Sequence, residues 1–216
     1  MDMDKILEFL TEIGKLNKIK RKGITFYGVR NPDSATDHSF RMALMVWIFA
    51  KEKNLNIEKA LKIALIHDIC KVYTGDITPY DGLLPRNKKE REKFVRKWRR
   101  LSQKEKEKRY IEKFKKEYKA ILKLASKLPP RLKKEMVALW LDYAKAKSQE
   151  SKFVYQIDAT ENLVEAFECW KKNKKFPTRP WWQHIDEIVD NPVLLKFLEA
   201  IEKKELEKRK KPKKRK

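Results

Sequence analysis

Two cysteines, Cys70 and Cys169, are too few for a disulfide framework or a cysteine-built zinc site. Five glycines in 216 residues exclude a collagen-like or glycine-rich chain. No apolar run approaches the roughly 18 residues of a membrane span. No signal-peptide core follows the charged start MDMDK. Strand-like alternation and internal repeats are also lacking. The chain is therefore expected to be soluble and cytoplasmic, with no membrane partner.

Apolar residues make up 41% and aromatics 11%, which suits a folded core rather than a disordered chain. The length is one domain's worth or slightly more. Lys and Arg number 54 against 31 Asp and Glu, a net charge of +23. That excess is local. Residues 86–134 carry a net +16 and residues 203–216 a net +8, which leaves the rest near −1. Like-charge blocks are usually solvated faces or mobile ends. A buried-site chemistry would lie in the near-neutral body.

The pattern is helical throughout, and an all-α fold is expected. Ile6, Phe9, Leu10, Ile13 and Leu16 recur at spacings of three and four over residues 4–17, with Asp2 or Asp4 as cap. Residues 20–37 hold Gly23, Gly28 and Pro32 and read as a loop. In residues 39–53, Phe40, Ala43, Leu44, Trp47 and Ile48 share one face, the expected core face. Residues 57–71 are apolar over most of the circumference, as in a buried helix. Residues 86–128 alternate charge with Phe94, Trp98, Tyr110, Phe114 and Tyr118, and break at Pro129-Pro130. Residues 131–146, 149–172 and 193–209 read as further helices. Residues 1–202 are expected to form one domain, with 86–134 as a basic helical addition and 203–216 as a basic tail.

Three histidines and 11 aspartates make a single His-Asp dipeptide weak by itself. Its setting strengthens it. His67-Asp68 ends the apolar segment ALKIALIHDIC, where an unpaired carboxylate would cost several kcal/mol. His38 opens the helix of residues 39–53. Asp158 and Glu161 lie one turn apart beside an apolar stripe in SKFVYQIDATENLVEA. Imidazole and carboxylate together suit a divalent transition metal with open positions for water and substrate.

The stretches NPDSATDHSFRMALM, ALIHDICKVYTGDITPYD and LWLDYAKAKSQESKFVYQIDATENLVEA resemble the HD-domain metal-dependent phosphohydrolases, in the 5′-deoxynucleotidase-like branch. The resemblance covers roughly residues 5–85 and 131–172. It implies an HD-domain helical bundle, a (deoxy)nucleoside monophosphate substrate and a homodimer. His38, His67, Asp68 and Asp158 match the metal ligands. The metal implied is Mn, Co or Mg, with Zn, Ni or Fe as further choices. Asp76 matches the acid near the sugar and the attacking water, and Glu161 an acid beside the last ligand. Gly23 and Ile24 fall on a substrate-contacting pair, Arg21 or Lys22 on a phosphate-orienting cation, and Ile77, Thr78 and Pro79 on the nucleotide loop. Lys71 stands where relatives carry Glu, and Tyr27 where many carry Arg. The competing reading is a weakened enzyme that binds nucleotides or nucleic acid through its basic, aromatic-interleaved segments.

Overall fold

The computed structural model describes residues 2–50, 55–78, 80–96 and 101–210. Helix α1 spans Met3–Gly14, and Asp2 caps it by accepting from the Lys5 amide. Its last turn tightens to 3₁₀ geometry over Lys15–Lys18. The expected loop then contains a short helix, α2, over Lys22–Thr25. An isolated antiparallel bridge between Lys20 and Ser34 closes that loop. Arg21 N–H donates to the Asp33 carbonyl at 3.0 Å and Ala35 N–H to the Ile19 carbonyl at 2.8 Å. These bonds fix Arg21 against the helix that follows.

That helix, α3, spans Ala35–Phe49 and starts four residues earlier than the apolar pattern implies. The reason is a capping box. Ser34 accepts from the Asp37 amide, and Asp37 accepts from the Ser34 amide. Its orientation also corrects the sequence reading. The buried face is Ala35, His38, Ser39, Met42, Met45 and Val46. Phe40 (64% exposed), Leu44 (38%), Trp47 (61%) and Ile48 (57%) point outward. Spacing alone identified an apolar face, but α3 has two. The polar pair His38 and Ser39 is turned inward.

Helix α4 spans Ile57–Ile66. It ends one residue before His67, so the expected helix 57–71 is broken by a turn over 67–70. Helix α5 is the single turn Lys71–Thr74, ended by Gly75 at φ +66°, a conformation that favours glycine. The turn projects His67, Asp68 and Asp76 from consecutive loops instead of along one helix face.

The basic segment forms α6, Lys88–Arg96, and α7, Gln103–Ala125. Trp98, singled out above, lies outside the described residues, as does Pro79. Phe114 and Tyr118 of α7 ring-pack on Trp140 of α8, Pro130–Ala144, at centroid distances of 5.6 and 6.0 Å. Those two aromatics are therefore a packing stripe. Helix α9 spans Gln149–Lys172 and α11 Pro192–Lys210. Between them lies α10, Arg179–Ile188, in a stretch for which the sequence pattern gave no helix. Trp181 and Trp182 pack there beside Val164 and Phe167 of α9.

Met42, Val46, Ile63, Val154, Ile157 and Leu194 form the central core, so α3, α4, α9 and α11 meet there. Cys70 is buried in a second cluster with Ile69, Ile121, Leu124 and Trp140. All assigned elements among the described residues are helical, and none of these helices is long and apolar enough to cross a membrane.

One buried acid of α9 makes stability pH-dependent. Glu165 accepts from the Asp33 amide at 3.1 Å. Burial, with Glu161 and Asp33 nearby, pushes its pKa up to about 7, against the opposing pull of Arg21. Its folded-state pKa exceeds the unfolded value, so the native chain holds this proton more tightly. Stability is then present below about pH 4.5 and lost as pH rises toward 7. The loss is on the order of 3 kcal/mol. Glu165→Gln keeps the acceptor and removes the charge. Its denaturation midpoint should gain on the parent between pH 5 and pH 8. A gap that stays constant over that range would refute the assignment.

Candidate metal centre

α3, the turn after α4, and α9 bring two imidazoles and a carboxylate to one point. His38, His67 and Asp158 each offer a ligand atom, all within 4.8 Å of one another. His38 Nε2 lies 3.2 Å from His67 Nε2 and 3.3 Å from Asp158 Oδ1. Asp68 joins them through Oδ2, 3.3 Å from His67 Nε2 and 3.8 Å from His38 Nε2.

The hydrogen bonds of the rings decide what these nitrogens offer. His67 Nδ1 donates to the Ala64 carbonyl at 2.8 Å. His38 Nδ1 donates to the Glu161 carboxylate, which can only accept. Each Nδ1 is thus spent, and each Nε2 presents a lone pair to the centre. Two lone pairs facing each other at 3.2 Å, beside two carboxylates, repel unless a cation lies between them. The residues fit a divalent metal on that ground. A proton competes for the same place. Burial and Arg21 oppose a charge on His38, but Glu161 and Asp158 outweigh them and raise its pKa.

The carboxylates are held ionised. Burial opposes charge on Asp158, yet His38, His67 and Arg21 hold its pKa far below the usual range. Burial likewise opposes charge on Asp68, and His67 and Lys71 overcome it. Asp158 is fixed on both oxygens: Tyr143 donates its hydroxyl to Oδ2 at 2.7 Å, and Asn162 donates to Oδ1 at 2.8 Å. Asn162 also accepts from Arg21. Arg41 pairs with Glu161 at 3.4 Å behind the site. Trp140 Nε1 donates to the His67 carbonyl at 3.2 Å. Tyr143, Asn162, Arg41 and Trp140 escaped the sequence reading. Asn162 and Arg41 carried a local signal, each one helical turn after a site residue, Asp158 and His38.

The other expected site residues divide. Arg21 reaches the cluster, 3.3 Å from Asp68 Oδ2. Lys71 is buried between two acids, 2.7 Å from Asp68 Oδ2 and 2.5 Å from Asp76 Oδ1. Burial works against its charge, but Asp68 and Asp76 raise its pKa and keep it an ammonium. Asp76 also accepts from the Lys22 amide at 2.7 Å. Glu161 is fully buried on the far side of His38 and acts on the centre only through that ring. Thr78 is turned to Asp81, at 2.8 Å. Gly23 leaves open space beside its backbone, and Ile77 is half-buried. Ile24 turns its side chain away from solvent. Its side chain is buried among Ala166, Trp170 and Phe176, so only its backbone remains for a substrate. Tyr27 packs its ring against Phe176 and Trp181.

A helical bundle presenting two histidines and an aspartate to one cation position, with a second aspartate beside the imidazoles, defines a class of metal-binding helical domain. The chain belongs to the HD domain family, whose model matches residues 13–185. It is 32% identical over 163 residues to the 5′-deoxynucleotidase HDDC2 of Bos taurus, covering 76% of this chain and 67% of that protein. It is 29% identical over 200 residues to the 5′-deoxynucleotidase hdd1 of Schizosaccharomyces pombe, covering 91% and 88%. A conserved hypothetical protein from Pyrococcus furiosus shares the fold, with a TM-score of 0.64 at 23% identity over 91% of this chain and 99% of that one.

Proposed function

We propose that the chain is a divalent-metal-dependent phosphomonoester hydrolase that removes the 5′-phosphate from (deoxy)nucleoside monophosphates. The carrying observation is the convergence of the His38 and His67 Nε2 lone pairs with Asp158 and Asp68. Similarity to 5′-deoxynucleotidases over most of the chain supports the substrate class. A divalent ion held by His38, His67, Asp68 and Asp158 would activate a water and polarise a phosphoryl oxygen. Mn, Co or Mg suits the role, and the imidazole pair also admits Zn, Ni or Fe.

The protein's own groups do the rest. Asp76 orients the attacking water. Burial opposes its charge, but Lys71 and Arg21 lower its pKa, so it serves better to position a water than to accept a proton. Arg21 and Lys71 supply fixed positive charge for the phosphoryl oxygens. Glu161 fixes the His38 ring. The backbone of Gly23 and Ile24 and the loop of Ile77 and Thr78 would face the nucleoside. Water attacks phosphorus in line as the phosphorus–O5′ bond breaks, and one of the water's protons passes to O5′, so the sugar leaves as its 5′-hydroxyl and the phosphoryl group as inorganic phosphate. The test is phosphate release from a panel of 5′-dNMPs and NMPs with Mn²⁺, Co²⁺ or Mg²⁺. Release is expected from at least one deoxynucleotide, and silence across the panel would end the proposal.

Residues 1–202 act as one HD domain on this reading. The family match running through residues 86–134 supports counting the basic segment as part of it. A cytoplasmic location fits the two free cysteines. We further propose a homodimer that uses the outward face of α3. Phe40, Trp47 and Ile48 are more than half exposed there, and a contiguous apolar helix face suits an isologous contact. Light scattering should give a dimer mass for the parent and a monomer mass for Trp47→Glu. A monomeric parent, or a dimeric variant, would remove this face from the interface.

A further inference from the structure

Asp68 is shared between two cations' territories. Its Oδ2 faces the metal position, 3.3 Å from His67 Nε2 and 3.8 Å from His38 Nε2. The same oxygen lies 2.7 Å from Lys71 Nζ and 3.3 Å from Arg21 Nη1. Lys71 is not a passing surface charge. Its side chain is 5% exposed, and its ammonium bridges to Asp76 Oδ1 at 2.5 Å. It stands three residues after Asp68, at the position where the resemblance implies a glutamate.

We infer that Lys71 is a tethered counter-cation that competes with the divalent metal for Asp68, so that this chain holds its metal loosely and exchanges it readily. Asp68, Asp76 and Asp158 bring three negative charges to the centre, and Lys71 and Arg21 already balance two of them. A glutamate at position 71 would leave the same acids two charge units more negative. A fixed ammonium beside a ligating oxygen both draws on its lone pairs and repels an incoming dication through a poorly screening interior. Lys71 cannot withdraw into water, because α5 and the Gly75 turn hold it between the two acids. A bound metal must therefore share Asp68 with the ammonium or force it wholly onto Asp76.

The inference rests on the metal centre proposed above, and its test reads binding instead of turnover. Chelator-stripped protein is titrated with Mn²⁺, following free Mn²⁺ by electron paramagnetic resonance. Compared are the parent, Lys71→Met, Lys71→Glu and, as a site control, Asp158→Ala. Lys71→Met should tighten binding by about tenfold and Lys71→Glu by more, within the roughly 10–100-fold range of residues next to metal ligands. Lys71→Gln, a polar replacement, stands in if Lys71→Met does not fold by circular dichroism. Unchanged or weaker binding in the Lys71 variants, with Asp158→Ala still abolishing it, overturns the inference and leaves the metal centre standing. Binding that Asp158→Ala does not affect overturns the metal centre itself.

Discussion

Asp158→Ala is expected to abolish metal-supported phosphate release and to leave the fold intact. The residue makes three distinct contributions at once. Its Oδ1 lies 3.3 Å from His38 Nε2 and its Oδ2 accepts from Tyr143 at 2.7 Å. It also supplies one of the negative charges that two converging imidazoles need in order to share a cation. Removing a member of a three- or four-ligand set leaves too few groups to hold the ion in place. The loss should be on the order of 10³-fold or more, the scale expected when the principal electrostatic stabiliser of the transition state is lost. Asp158→Asn separates charge from shape, because it keeps the Tyr143 and Asn162 neighbours but offers a poorer ligand. Both variants should be equally inactive. The fold should survive at a lowered denaturation midpoint: Tyr143 and Asn162 lose their acceptor, but the core of Met42, Val46, Ile63, Val154 and Ile157 is untouched. Steady-state phosphate release with a thermal scan checks both halves, and an active Asp158→Ala would contradict the ligand assignment.

Trp140→Ala is expected to cost about 3–5 kcal/mol of stability, the range for deleting a buried aromatic. Trp140 is nearly inaccessible and sits between Phe114 and Tyr118 of α7 and the turn that carries His67. Truncating it opens a cavity between the basic segment and the metal centre. It also strips the His67 carbonyl of its indole donor. Trp140→Phe tells the two effects apart. It keeps most of the packing and loses the hydrogen bond, worth about 1 kcal/mol. Urea denaturation should rank the parent above Trp140→Phe and Trp140→Phe well above Trp140→Ala. If Trp140→Ala unfolds at the parent's midpoint, the basic segment is not docked through this residue.

Much of this was readable from the sequence because helices announce themselves through local spacing. The helices around Pro130, Ser148 and Pro192 begin within one or two residues of expectation. The meeting of His38, His67, Asp68 and Asp158 was foreshadowed by polar groups inside apolar segments, which demand compensation, and by the family resemblance. The outward face of α3 was not legible. Phe40, Leu44, Trp47 and Ile48 have core-like spacing, and only tertiary packing of Met42 and Val46 on α4 and α9 decides which face turns inward. The break at His67 was hidden for a similar reason. In IALIHDICK, Ile69 and Cys70 resume the apolar pattern straight after His67 and Asp68, and no glycine or proline marks the turn. Tyr143 and Trp140 reach the site from α8, with no local pattern to connect them, and Arg41 bears on it through Glu161, far away in sequence.

The same contrast sharpens the meaning of the charge. Lys71 is one lysine among many in the count, yet it is the one placed between Asp68 and Asp76. The bulk of the +23 lies in residues 86–134 and 203–216, away from the quartet in sequence.

The most direct test of the metal centre is phosphate release from a 5′-dNMP by chelator-stripped protein, before and after adding back a single divalent ion, with metal content measured alongside. The stripped protein should be silent. Activity should return in step with about one bound ion per chain, and not at all in His67→Ala. Undiminished release by the metal-free protein would contradict the account.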